Sequence, residues 1–340
     1  MKILILSSNF GSGHYSAAQA IKEECLNKGH RVYIYDVVEV LYPKEAKYIY
    51  GLFRKVICKN SQIYNLLNNI GRKQYQNPKK SKKLHKLIRE INPDLIISTW
   101  SGCGRKLGRI EIPVHIYITD VTVHEGWLYP DASIYWVANN DVANALLKLN
   151  VAPEKIKICG IPVKEEFRKL PDKLTMCQNK HLLIMGGGLG IIPWLDELLI
   201  GLKDIEGLKI TVITGKNKEL YKKVKRNFDN IEVLAYTNEM PKYIWEADYV
   251  ISKPGGVSLF ESIYATTPYI AMYPVYKQEI ANAEYINKHQ IGTVIYQNQD
   301  AVKAIIELLN DDKCSQLYQD KIVALKHQII LERHKNQEVI

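Results

Sequence analysis

The chain offers little from which to build metal or disulfide chemistry. Its six cysteines, Cys25, Cys58, Cys103, Cys159, Cys177 and Cys314, stand apart, with no CxxC pair and no histidine at ligand spacing. That scatter argues against a disulfide framework and against structural zinc, and predicts reduced, mostly buried thiols. No DxD triplet occurs anywhere in the 340 residues, so a divalent metal held on that acidic motif is not expected. No run reaches the roughly 18 apolar residues that a spanning helix needs. The amino terminus lacks a basic n-region and a small-residue cleavage site, so no secretory signal is expected and the cytosol is the expected compartment. Repeats of solenoid length and low-complexity tracts are also missing.

What is present is an ordinary globular composition, 46% hydrophobic and 24% charged, which excludes a disordered chain. At this length two domains are expected. Strands and helices alternate, the pattern of an α/β protein with parallel sheets. "KILILSS", "RVYIYDVV", "DLIISTW", "VHIYITD", "SIYWVAN" and the shorter "KIKICGIPV" form a first series of strands. "HLLIMGGGLG", "KITVITG", "IEVLAY", "ADYVISKPGG" and "PYIAMYPV" form a second. Helices are expected over 193–203, 217–227, 257–265 and 278–289, with a last one near 315–335 packing back on the first half. Two Rossmann-like domains, 1–163 and 164–314, follow from this reading.

The formal charge of +10 points to an anionic partner, and the sum alone does not choose among nucleic acid, membrane and phosphorylated substrate. Its distribution is more informative. Residues 44–89 hold Lys or Arg at 44, 47, 54, 55, 59, 72, 73, 79, 80, 82, 83, 86 and 89, interleaved with Tyr48, Tyr50, Phe53, Tyr64 and Tyr75. Rings at headgroup level among cations suit an anionic membrane surface. A solvated helical face has the same composition, and composition alone leaves both open.

The turn after the first strand, "NFGSGHYSAAQAI", poses a similar choice. Gly11 and Gly13 supply the first two glycines of a dinucleotide fingerprint, and Asp36 ends the second strand where a ribose-binding acid belongs. Ser16 stands where that fingerprint wants Gly or Ala, and His14 follows its second glycine. At a helix start the macrodipole disfavours imidazolium, so His14 would be neutral near pH 7 and able to accept a proton. A cap donating to a nearby carbonyl is the alternative. In the second half, "MGGGLG" (Gly186, Gly187, Gly188) and "SKPGGVSLFES" (Gly255, Gly256) are strand-to-glycine junctions that let backbone N–H groups approach an anion. Glu261 lies about a turn and a half into the following helix, where a carboxylate can accept ribose hydroxyls. Gln278, Glu279 and Asn282 open another helix, offering amide and carboxylate groups for sugar hydroxyls, with capping as the competing explanation.

These motifs, with "YITDVTVHEGW" and "IKICGIPV", occur in the order seen in monogalactosyldiacylglycerol synthases and bacterial processive diacylglycerol glucosyltransferases. The chain resembles that family from about residue 2 to 310, and through it the peptidoglycan N-acetylglucosaminyltransferase. The resemblance implies a GT-B fold, two Rossmann-like domains facing a central cleft, and an inverting, metal-independent transfer of glucose or galactose. The donor would be a UDP-sugar, a co-substrate rather than a cofactor, and no cofactor is expected. The acceptor would be a diacylglycerol-type lipid, met at the inner face of the cell membrane through residues 44–89, with no nucleic acid involved. By the same resemblance His14 is the general base, Asp120 an assistant to it, and Gly11, Gly13, His124 and Trp127 belong to the acceptor side. Gly186 to Gly188, Gly255 and Gly256 would meet the diphosphate, Glu261 the ribose, and Gln278 with Glu279 the sugar, Asn282 beside them. The likeness departs at Tyr276 and Lys277, where bacterial members commonly carry Pro-Gly. Rival readings are another acceptor on the same fold, a UDP-N-acetylglucosamine 2-epimerase and a non-enzymatic UDP-sugar binding protein.

Overall fold

The computed structural model describes residues 1–59, 81–173, 180–297 and 299–336, the side chains of 54–59 excepted. The chain divides into two compact units, Met1–Glu165 with Ile329–Ile340, and Glu166–Gln328.

The first unit is built on six parallel strands: β1 (Lys2–Ser7), β2 (Arg31–Asp36), β3 (Leu95–Ser98), β4 (Val114–Tyr117), β5 (Ile134–Val137) and β6 (Ile156–Ile158), ordered β2-β1-β3-β4-β5-β6. Ile3 to Leu6 are fully buried, as a strand covered on both faces requires. β2, at the sheet edge, alternates exposed with partly buried residues until Asp36. The helix Gly13–Asn27 lays Ala17, Ala18, Ile21 and Cys25 inward, so the expected helical spacing is what packs it on the sheet. The register pairs Ser7 with Asp36 and Leu6 with Ser98. β1 and β3 run parallel, so their C-terminal ends lie side by side, and the direction in which successive strands are added to the sheet reverses between them; this is a topological switch point, the place where open α/β sheets bind ligands.

The second unit repeats the plan with β7 (His181–Met185), β8 (Lys209–Ile213), β9 (Glu232–Leu234), β10 (Tyr249–Ser252), β11 (Tyr269–Met272) and β12 (Gly292–Ile295), ordered β12-β11-β10-β7-β8-β9. Its switch point lies between β7 and β10. β12 went unread in the sequence, as did the helices Met240–Glu246 and Ala301–Leu309. The helix Asp312–Lys335 runs through residues of both units. Within the second unit Lys326 pairs with Asp172 at 2.8 Å, and within the first Arg333 pairs with Glu24 and Asn336 donates to the Ile158 carbonyl. Among the described residues no helix is long and apolar enough to cross a membrane. Cys25, Cys103 and Cys159 are buried free thiols, and burial raises each of them, to about 11 for Cys25 and about 12 for the other two.

Candidate active site

Three loops leave the C-terminal ends of adjacent strands in the first unit. The β1 turn carries Gly11, in the left-handed region at φ 79°, and Gly13, where the helix begins. His14 is partly exposed. Its Nδ1 lies 2.8 Å from Thr119 Oγ1, and its carbonyl accepts from the Thr99 hydroxyl at 3.0 Å. Thr99, which follows β3, also stands 2.9 Å from Ser7 Oγ, so three strands fix one imidazole. Desolvation lowers the His14 pKa to about 4, with the positive potential of His124 acting the same way against a hydrogen bond to the Thr99 backbone. The neutrality expected from a helix start is therefore present, and burial is its main cause.

The loop after β4 supplies the remaining groups. His124 Nδ1 accepts from Gly126 N–H at 3.1 Å, which places the proton of a neutral His124 on Nε2. Trp127 packs edge-on to His14, ring centroids 6.2 Å apart, and tilted against His124 at 6.3 Å. The indole is 2% exposed, yet its N–H meets no acceptor among the described residues, and neither does the buried Ser8 hydroxyl. Asp120 is partly exposed, and desolvation raises its carboxyl to about 6. It is Thr119, one residue earlier, that meets Nδ1. Sequence reading named Asp120 and passed over both threonines, whose only signal was their place at the ends of buried strands.

Asp36 has a different task from the ribose contact that its position suggested. Its two oxygens accept from Val38 and Glu39 N–H at a helix start, from Asn9 N–H and side-chain amide, and from the Tyr50 hydroxyl. A 7% exposed carboxylate so surrounded has no capacity left for a ligand.

In the second unit the loops after β7, β10 and β11 stand on neighbouring strands. Glycine is demanded by packing at Gly186, where a Cβ would lie 2.6 Å from Ile191 N, and at Gly190, where it would lie 1.8 Å from the Thr214 carbonyl oxygen. Gly187 has φ 62°, and Gly188 accepts from Lys216 N–H through its carbonyl. Gly255 differs: its φ is −84° and a Cβ would meet only Ser258 Oγ, at 3.7 Å. It leads, without a side-chain cap, into the helix that Gly256 begins, Gly256–Tyr264. Glu261, partly exposed, and Glu279 both act electrostatically on Tyr269, whose phenol burial already keeps protonated. Tyr269 donates to the Lys253 carbonyl at 2.7 Å, bracing the turn before Gly255.

The helix Lys277–His289 sorts its polar residues into two kinds. Glu279 is 9% exposed and its Oε2 accepts from Val275 and Tyr276 N–H at 3.0 and 3.2 Å; this is capping, the explanation that competed with sugar binding. Asn282, fully buried, donates to the Pro254 carbonyl at 2.8 Å, so it holds the glycine turn. Gln278 stays partly exposed at the helix start. Among the described residues no group of three or more His, Cys, Asp or Glu could hold a metal ion.

Comparison with known proteins agrees with this layout. Residues 14–163 match the monogalactosyldiacylglycerol synthase family model, and residues 181–330 match the glycosyltransferase family 28 C-terminal domain. The processive diacylglycerol beta-glucosyltransferase of Bacillus pumilus is 30% identical, over 97% of this chain and 94% of the relative. Among solved structures, MurG of Acinetobacter baumannii superposes with a TM-score of 0.59 at 15% identity, covering 98% of this chain and 99% of that one. HepE of Anabaena in complex with UDP-glucose gives 0.56 at 14% identity, covering 99% and 98%. These two likenesses establish the architecture, two six-stranded parallel sheets flanked by helices in the GT-B manner. With 30% identity sustained along nearly its whole length, the chain belongs to the monogalactosyldiacylglycerol synthase and processive diacylglycerol glucosyltransferase family of GT-B glycosyltransferases.

Proposed function

We propose that this enzyme transfers a hexose, glucose or galactose, from a UDP-sugar to a diacylglycerol-type lipid with inversion, and that His14 is the general base. The observation that carries the reading is the state of His14: neutral, partly exposed and fixed at Nδ1 by Thr119, at the switch point of a parallel sheet. When Nδ1–H donates to Thr119, Nε2 carries the lone pair. A lipid hydroxyl then attacks the anomeric carbon as its proton passes to Nε2, and the bond to the β-phosphate oxygen breaks with its electron pair leaving on UDP. Attack from the side opposite UDP inverts the anomeric centre. The unpartnered indole N–H of Trp127 and the Nε2–H of His124 are donors suited to orienting the acceptor oxygen.

On the donor side, the uncapped N–H groups at the start of helix Gly256–Tyr264 suit the negative charge that grows on the leaving diphosphate. Gly255, open rather than packed, lets the diphosphate approach the backbone, with the loop Gly186 to Gly188 beside it. Glu261 serves the ribose and Gln278 the sugar, while Glu279 and Asn282 keep these loops in place. No metal or cofactor is assigned a role.

The support for a lipid acceptor and a UDP-sugar donor comes from the relative that is a diacylglycerol glucosyltransferase and the neighbour that binds UDP-glucose. Docking on the cytoplasmic face of the membrane fits the exposed Tyr48 and Leu52, 81% and 65% accessible, beside Lys44 and Lys47. Lys82, Lys86 and Arg89 are exposed on the helix Lys82–Ile91. Tyr64, Tyr75 and the cations at 72, 73, 79 and 80 lie outside the described residues. Incubation with a panel of UDP-sugars and mixed lipid and soluble acceptors, read by mass spectrometry, tests the reading. Hexosyl-diacylglycerol is the expected product; transfer to a soluble acceptor alone would overturn the lipid assignment. Loss of His14 should lower turnover about 10²-fold with UDP affinity retained.

A further inference from the structure

Asp36 is the most heavily coordinated carboxylate described in the first unit, and neither nucleotide binding nor the transfer chemistry uses it. Oδ1 accepts from Val38 N–H at 2.8 Å and Glu39 N–H at 3.2 Å, and Oδ2 from Asn9 N–H at 3.0 Å and its amide at 2.8 Å. The Tyr50 hydroxyl is 2.7 and 2.6 Å from the two oxygens, and is itself 3.1 Å from Asn9 N. Three segments thus converge on one side chain: the turn that leads to His14, the start of Val37–Leu41, and the helix Ala46–Lys59. A second layer repeats the connection. Phe10 meets Tyr50, Phe53 and Trp100 with ring centroids 5.0, 4.8 and 5.6 Å apart. Gly102 gives Trp100 its place, since a Cβ there would be 2.4 Å from the indole.

A helix start needs only one or two acceptors, which Oδ1 supplies. The Asn9 and Tyr50 contacts are additional, and they bear on the stretch, residues 8–12, that separates β1 from the helix carrying His14. That turn contains Gly11 at positive φ and would otherwise have wide conformational freedom. We propose that Asp36 and Tyr50 are positioning residues for glycosyl transfer, forming a latch that holds the turn before His14 and ties it to the helix Ala46–Lys59. The inference rests on His14 being the base. Because the outer side of that helix carries Tyr48 and Leu52, the latch also connects the catalytic turn to the element proposed to meet lipid.

Tyr50→Phe keeps the ring against Phe10 and deletes the hydroxyl; Asn9→Ala removes the side-chain amide donor to Asp36 Oδ2, weakening the latch from the turn side while the backbone N–H bond of residue 9 and the helix stay in place. Steady-state rates with UDP-sugar and diacylglycerol should show kcat reduced about tenfold in each, as a small misplacement of a reacting group produces. The KM for UDP-sugar should remain within about twofold, because the donor loops belong to the other unit. The double variant should fall by clearly less than the product of the two single effects, since the bonds removed meet on one carboxylate and act as a unit. Wild-type kcat in both variants overturns the latch, and so does a fall that multiplies in the double variant or comes with a raised donor KM. His14→Ala, measured alongside, separates the two ideas: normal turnover there removes the base assignment, whereas an inactive His14→Ala beside fully active Tyr50→Phe and Asn9→Ala removes only the latch.

Discussion

At the scale of single residues, the group proposed as base is an imidazole that burial holds neutral and whose Nδ1 lies 2.8 Å from the Thr119 hydroxyl. Thr119→Val is nearly isosteric and removes the partner of Nδ1, so turnover should fall by about 10-fold or more with UDP binding unchanged by calorimetry; full turnover would mean that the tautomer is set elsewhere. The same burial gives the fold a pH dependence whose sign can be worked out. His14 and His115 both have folded pKa values near 4 against 6.5 when unfolded. Between those values the unfolded chain binds more protons, so their contribution favours folding at higher pH and is lost as pH falls through the window. Asp120 acts oppositely: raised to about 6 from 3.8, it favours folding below about 4 and that contribution is lost as pH rises through 6. Two histidines outweigh one acid, and thermal melts should show a lower midpoint at pH 5 than at pH 7. Asp120→Asn should widen that difference by removing the opposing group; a narrower one would show that the acid is not desolvated. His14 was legible as a candidate because a histidine after two glycines at a helix start is conspicuous. Its companions were not, because Thr99 and Thr119 reach it only through the order β1-β3-β4, which spacing along the chain does not contain.

At the scale of elements, glycine is used for two different purposes, and a single substitution can separate them. Gly190→Ala puts a methyl group 1.8 Å from the Thr214 oxygen, on a backbone at φ 62°. The second unit should lose on the order of 1–3 kcal/mol from strain alone, seen as an earlier thermal transition. Gly255→Ala meets nothing closer than 3.7 Å, so the melting temperature should hold while UDP affinity falls; unchanged affinity would mean that this turn does not approach the diphosphate. The strand-to-glycine-to-helix pattern was visible in sequence because continuous apolar runs ending at glycines are its direct expression. β12 was missed for a related physical reason. It is four residues long and begins at Gly292, which reads as a turn, yet a Cβ there would lie 1.9 Å from the Tyr269 oxygen of the adjoining strand; the glycine permits close strand contact. The bonds that Asp36 and Asn282 make were not legible in the sequence, because their partners, Asn9, Tyr50 and Pro254, are brought to them by packing. Local rules placed Asp36 at the end of a strand and Asn282 in the opening turns of a helix, and could not say which loop each would hold.

At the scale of the whole molecule, the net charge has one source. Residues 44–89 carry thirteen Lys or Arg against Glu45 alone, an excess larger than the +10 of the entire chain, so the rest of the protein is slightly acidic. The described parts of this segment present their cations outward: Lys44, Lys47, Lys82, Lys83, Lys86 and Arg89 are exposed, with the Lys83 ammonium donating to the Leu41 carbonyl. Lys86 is shared with Glu90 at 3.7 Å, an exposed pair that is easily exchanged for a phosphate. Tyr48 and Leu52, four residues apart on one helix face, add apolar contact beside these charges. A surface of this kind should hold an anionic bilayer at roughly 1 kcal/mol per cation near the headgroups, and that attraction must weaken as salt shortens the screening length from about 10 Å at 0.1 M to about 3 Å at 1 M. Sedimentation with phosphatidylglycerol vesicles should therefore be strong at low salt and fall steeply across the series, leaving a residue of binding from the apolar side chains. Tyr48→Ser with Leu52→Ser should remove that residue and leave the salt slope intact. Equal sedimentation with neutral phosphatidylcholine vesicles, or binding indifferent to salt, would show that the basic segment is a solvated face and that the lipid is met elsewhere.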